Sequence, residues 1–174
     1  SLPFGFLAAR NTSPHIIIYY ITRLLLNINR TIPEIVFAII LVAGFGMGPF
    51  AGVLALSIGA IGTLGKMFAE SVESIDPQQV LGIQATGANR MLCFLYGVLP
   101  QALPTMASYS LLYFEHNVRA ATILGLVGAG GIGFYIQDYL NRFWLNKLMG
   151  AVILLIVMVT IIDRLSDWLR KKII

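Results

Sequence analysis

Four stretches of this 174-residue chain carry no charged side chain: residues 35–65, 91–114, 120–137 and 148–162. A hydrocarbon core about 30 Å thick needs roughly 20 apolar residues per crossing helix. A soluble domain devotes about 25% of its residues to charge. Here the charged fraction is 11% and the hydrophobic fraction 57%, with mean hydropathy +0.82. That much charge cannot cover a surface facing water. The expectation is an all-α integral membrane protein, a polytopic helical bundle.

Straight helix through residues 35–65 would run roughly 46 Å, too long for one crossing. The cluster Gly44-Phe45-Gly46-Met47-Gly48-Pro49 therefore reads as a turn between two spans. The expected spans are 31–46, 49–70, 100–124 and 148–166, within a single transmembrane domain, 1–174. Residues 71–99 form the connecting loop. The chain starts at Ser1 without a basic leader or a cleavage site. Its first residues read as the end of an apolar segment, so an N-terminally longer chain is expected.

Local signals mark the helix starts. In "NTSP", Thr12 or Ser13 is placed to cap, with Pro14 in the first turn. Arg23, Asn27 and Arg30 then form one polar stripe, which fits either a helix on the membrane surface or a helix end facing water. In "TIPE", Thr31 and Glu34 have capping-box spacing. Asp76 and Pro77, with Gln79, open a short helix over about 77–86 that Gly87 interrupts. The residues "QDYLNRFWLNK" after the glycine-rich stretch read as a polar loop.

Basic residues give an orientation, because loops rich in Lys and Arg stay in the cytoplasm. With the C-terminus inside, Arg10, Arg23, Arg30, Lys66, Arg90, Arg164, Arg170, Lys171 and Lys172 fall on the cytoplasmic side. Only Arg142 and Lys147 fall outside, with Arg119 near or within the membrane. This puts 71–99 in the cytoplasm. Tyr139 and Trp144 then lie at the outer interface and Trp168 at the inner one.

The net charge of +4 is scattered between apolar segments, with no basic face for nucleic acid. The one cysteine, Cys93, excludes an internal disulfide and a multi-cysteine metal site. No metal or other cofactor is expected. His15 and His116 are isolated and read as structural. Asp163 and Asp167 share the spacing of lipid head-group transferases, but no Asp-Gly and Ala-Arg pair stands upstream at that motif's fixed spacing. They read as a solvated helix end. No catalytic constellation and no P-loop is present, so the chain is read as a non-catalytic subunit.

Gly128-Ala129-Gly130-Gly131-Ile132-Gly133 matches GxGxxG as text. That pattern cradles a dinucleotide only after a strand in a βαβ unit, and an apolar helical segment precedes it here. Two readings stay open: close helix packing through small residues, or irregular backbone lining a cavity. Glu115 and Arg119 stand at i and i+4, so they can pair. Ionisable groups at membrane depth usually face a bundle interior or a pathway, although a plain structural salt bridge fits equally.

Gly87-Ala88, then Leu99-Pro100, partly match the cytoplasmic loop motif of ABC importer permeases. The EAA positions differ (Leu81, Gly82, Ile83), and the motif's Ile is Gly97. With "GPFAGVLAL", "ATGANR", "YGVLPQALP", "SYSLLYFEHNVRAATILGLVGAGGIG" and the basic tail, the chain resembles the permease subunit of phosphonate ABC importers from about Leu2 onward. The resemblance implies the type I importer permease fold in a bacterial inner membrane. It implies a homodimer working with two cytoplasmic ATPase subunits and a periplasmic phosphonate-binding protein. It further implies that the helix near 77–90 couples to the ATPase, through Asp76, Pro77, Gln84, Ala85, Gly87, Ala88, Arg90, Leu99 and Pro100. The expected translocation pathway holds Glu115, Asn117 and Arg119, with the backbone amides of Gly128, Gly130, Gly131 and Gly133. A permease for another solute such as methionine, which the chain resembles more weakly, and an ATP-independent secondary transporter are the alternatives.

Overall fold

A computed structural model describes residues 1–173. They form α1 (Leu2–Leu7), α2 (Ile16–Thr31), α3 (Glu34–Phe45), α4 (Pro49–Glu73), α5 (Pro77–Ala85), α6 (Arg90–Cys93), α7 (Leu99–Leu126), α8 (Ile132–Asn141) and α9 (Leu145–Ile173). One π-helical turn, Phe94–Val98, joins α6 to α7. Among the described residues there is no strand. Three helical stretches are long and apolar enough to cross a membrane: Pro49–Glu73, Arg90–Leu126 and Leu145–Lys172. The pair α2 and α3 would make a fourth crossing if counted as one broken span. α3 alone has 12 residues, roughly 18 Å of helix.

The chain divides into two compact units. The first comprises Ser1–Asn29 and Ile61–Ser110. Its core holds Ala8, Leu26, Phe68, Val72, Val98 and Met106. Two members of the polar stripe of α2, Arg23 and Asn27, meet α4. Arg23 donates to Glu73 at 2.8 Å, and Lys66 donates to Asn27 at 2.9 Å. The opposite face, including Ile17, Ile21, Leu24, Leu25 and Ile28, is exposed. Arg23 and Asn27 are half-buried in these pairs while Arg30 stays exposed, and the bare aliphatic face suits lipid contact.

The second unit comprises Arg30–Ala60 and Leu111–Lys172. Two glycine turns interlock within it. The Gly48 N–H donates to the Gly128 carbonyl at 3.0 Å. A side chain on Gly130 would lie 2.9 Å from the Pro49 nitrogen, and one on Gly52 2.7 Å from the Ala129 carbonyl oxygen. Gly128 and Gly130 have φ of 91° and 80°, a region that glycine enters without steric cost. Close backbone packing thus explains most of this cluster.

Two of the three start signals resolve differently. α2 begins at Ile16 because His15 caps it, its Nδ1 accepting from the Ile17 N–H at 3.2 Å. Ser13 and Thr12 instead donate to the carbonyls of His15 and Phe6. The capping box of "TIPE" does not form. Thr31 closes α2, and the Glu34 carboxylate is engaged by Tyr113 at 2.8 Å and His116 at 3.3 Å. Asp76 does cap α5, accepting from the Gln78 N–H at 2.9 Å. The expected polar loop, residues 137–147, is largely helical: 137–141 complete α8 (Ile132–Asn141) and 145–147 open α9, and the start of α8 packs through Gly133 on α7.

Candidate functional site

Two sites follow from these elements, one in each unit. In the first unit, α5 is a nine-residue helix with no buried residue. Gln101 ties down its start: the Gln101 Oε1 accepts from the Asp76 N–H at 3.0 Å, while its Nε2 donates to the Gly97 carbonyl at 2.7 Å. Its inner face rests on the π-helical turn. A Cβ on Gly97 would lie 3.3 Å from Ile83 Cδ1 and 3.4 Å from Val80 Cα. That proximity gives a physical reason for glycine at this position, since a branched side chain would drive α5 away. The π turn itself precedes Pro100, which lacks an N–H and crowds the carbonyl four residues earlier.

Beyond α5 the chain turns at Gly87, where φ is +80° and a Cβ would meet nothing. Asn89 then caps α6, accepting from the Leu92 N–H at 2.9 Å. Gln84, Ala85 and Arg90 are exposed, and Ala88 is half-buried. Leu99 and Pro100 open α7. The expected coupling residues therefore share one compact loop. Of the residues that hold α5, Gln101 and Val80 were not singled out by sequence, and Gly97 stood out only as a departure from the loop motif. The only signal for Gln101 and Val80 was adjacency to Pro100 and to the loop motif.

In the second unit the charges of α7 and α9 pair. Arg119 donates to Asp163 at 2.8 Å and lies 3.9 Å from Glu115. Arg170 reaches Glu115 at 3.1 Å and Asp167 at 3.5 Å. The Glu115 side chain is only 13% exposed, whereas that of Arg119 is 53% exposed. Asp163 is thus no solvated helix end but the main partner of Arg119. The Asn117 Oδ1 is buried without a hydrogen-bond partner among the described residues.

A cavity of about 360 Å³ opens beside this network. Pro49, Val53, Val118, Thr122, Gly131 and Met158 are among the residues that line it. Glu115, Asn117 and Arg119 are not. Of the expected pathway glycines, Gly130 and Gly131 line the cavity. Gly128 faces Met47 and Val42, and Gly133 is pressed against Thr122 and Gly125. The ionic cluster and the glycine turn therefore occupy separate places along α7. Arg119 stands seven residues before its end at Leu126, roughly 10 Å along the axis. Among the described residues no group of three His, Cys, Asp or Glu side chains could hold a metal ion.

The long apolar helices and their outward aliphatic faces define a helical integral membrane protein. The chain belongs to the family described as the binding-protein-dependent transport system inner membrane component, which it matches over residues 1–174. It is 42% identical over 171 residues to the phosphite transport system permease protein of Stutzerimonas stutzeri, spanning 98% of this chain and 62% of that one. It is 40% identical to the phosphate-import permease protein of Mycolicibacterium smegmatis, spanning all of this chain and 33% of that one. The chain thus spans less than two thirds of either relative. Its fold matches an inward-facing methionine ABC transporter structure with a TM-score of 0.82 at 24% identity, covering 99% of this chain and 85% of that one.

Proposed function

We propose that this chain forms the membrane-spanning path of an ATP-driven importer for a phosphorus oxyanion: a phosphonate, phosphite or phosphate. The observation that carries the coupling part is α5, a capped helix with no buried residue, fixed at its start by Gln101 and along its inner face by Gly97. Such a strut suits a groove on a partner. In this reading two cytoplasmic ATPase subunits receive α5 from each copy of a homodimer, and a periplasmic binding protein delivers the solute. The C-terminus and residues 71–99 face the cytoplasm. ATP binding closes the ATPases, pushes α5 and switches the path between its two openings. Substrate chemistry rests on relatives whose names specify phosphite and phosphate import.

The test uses the full-length permease with its ATPase and binding protein in liposomes. ATP hydrolysis is recorded with the binding protein empty and then loaded with phosphite, phosphate or an alkylphosphonate. Stimulation by one of these, and none by methionine, is expected. Stimulation by methionine alone would overturn the substrate class. Hydrolysis indifferent to every solute would overturn the importer.

Within the path, Arg119 is the exposed cation of the ionic network, and an anion passing it meets a guanidinium already aligned by Asp163. Arg119→Gln is expected to lower transport at least about tenfold, as loss of a charge-assisted contact does, in a complex that still assembles. Transport at the parent rate would make Arg119 a strut between α7 and α9 and nothing more.

A further inference from the structure

The junction of α8 and α9 carries a feature that transport does not use. α8 ends in a closing bond from the Trp144 N–H to the Tyr139 carbonyl at 3.0 Å. This is the six-residue closure that normally places glycine at the left-handed position. Here that position is Phe143, with φ of 54°, the one non-glycine residue with positive φ among the described residues. A bulky residue there is a genuine outlier. Phe143 contributes little inside the protein, since it is 85% exposed. Trp144 and Leu145 beside it are 43% and 65% exposed.

Two cations flank the same indole. Lys147 Nζ lies 3.9 Å from the Trp144 ring centre and the Arg142 guanidinium carbon 5.1 Å from it. Arg142 spends its Nε on Asp138 at 2.9 Å. Among the described residues no carboxylate pairs with Lys147. Leu145 opens a helix long and apolar enough to span a bilayer, so this elbow marks where that span meets water. Aromatic rings with cations beside them settle at that boundary, the rings at headgroup level and the cations among phosphates.

We propose that the elbow Arg142–Lys147 is a binding site for the headgroup of an anionic membrane phospholipid. Lys147, with the terminal nitrogens of Arg142, holds the phosphodiester above the Trp144 ring. Phe143 reaches into the acyl chains, and the left-handed backbone aims it there. Each cation near an anionic surface contributes on the order of fivefold in affinity.

The experiment uses full-length permease in which Trp144 is the one tryptophan, Trp168 being replaced by Phe together with any other tryptophan in the full-length protein. It is reconstituted into vesicles of phosphatidylcholine doped with brominated phosphatidylglycerol or with brominated phosphatidylcholine. The expected result is Trp144 quenching several-fold stronger by brominated phosphatidylglycerol at equal mole fraction. Arg142→Gln with Lys147→Gln should abolish that preference and leave quenching by both lipids. Phe143→Gly, which suits the backbone and so keeps the fold, should shift the Trp144 emission to the red. Equal quenching by both lipids in the parent would overturn the headgroup site. So would quenching by aqueous iodide with none by brominated lipid, which would place the elbow in water, away from the bilayer. Loss of the phosphatidylglycerol preference on adding inorganic phosphate would assign the cations to a soluble oxyanion instead.

Discussion

Gly133→Ala is expected to destabilise the permease by about 3 kcal/mol, the upper end of what overpacking costs. Gly133 is the second residue of α8 and is buried against α7. A Cβ there would overlap the Thr122 carbonyl oxygen and lie 2.9 Å from the Gly125 Cα. Gly125 is equally tight from the other side, its own Cβ meeting the Gly133 Cα at 2.7 Å. Both neighbours are backbone, so no rotamer change relieves the clash and the two helices must separate. Gly150→Ala supplies the contrast. Gly150 also sits in a helix, α9, but a Cβ there meets nothing within 4 Å. Alanine should stabilise that helix by about 0.5–1 kcal/mol. Thermal unfolding of the full-length permease in detergent reads both. A fall of roughly 10 °C is expected for Gly133→Ala, and a small rise for Gly150→Ala. If Gly133→Ala melts with the parent, α7 and α8 do not pack through these glycines.

The same glycines show what the sequence could disclose. Charge-free runs and the break at Gly44–Pro49 were enough to expose an all-helical membrane chain, because hydrophobic length is a local property. The Asp76 cap was legible for the same reason, its bond reaching only to Gln78. The pairing of the two glycine turns was not, since Gly48 and Gly128 are far apart in the chain and meet only through packing. Glu34 failed as a capping residue because Tyr113 and His116, 79 and 82 positions away, claim its carboxylate. Of the ionic network, the Glu115 and Arg119 pair was visible from i, i+4 spacing. Its stronger partners, Asp163 and Arg170, lie on another helix, where spacing carries no information. Gly97 stood out by sequence only as a departure from a motif. The structure gives that departure a cause in the closeness of Val80 and Ile83.

Gly97→Ile should uncouple the importer, reducing the ATPase stimulation produced by loaded binding protein at least about tenfold, equivalent to 1.4 kcal/mol or more of lost coupling. The added branches would enter the space of the Val80 backbone and Ile83, so α5 must shift by about the width of a side chain. A strut displaced that far no longer meets its groove in register. Gly97→Ala is the graded control, because a lone Cβ at 3.3–3.4 Å asks the neighbours to give by only tenths of an ångström. Ile at this position also borders Val98, a residue of the first unit's core, so a loss could arise from misfolding. Gly87→Asp separates the two causes. Gly87 is exposed and a Cβ there touches nothing. Asp tolerates a left-handed backbone better than most residues, so the fold should persist while the turn behind α5 gains a charge. Capture of the ATPase by tagged permease should then fall for Gly87→Asp with an unchanged melting curve. Gly97→Ile should lose stimulation, and Gly97→Ala should keep most of it. Parent-level stimulation in Gly97→Ile would show that force does not travel through α5, and the coupling role would pass to another part of residues 71–99.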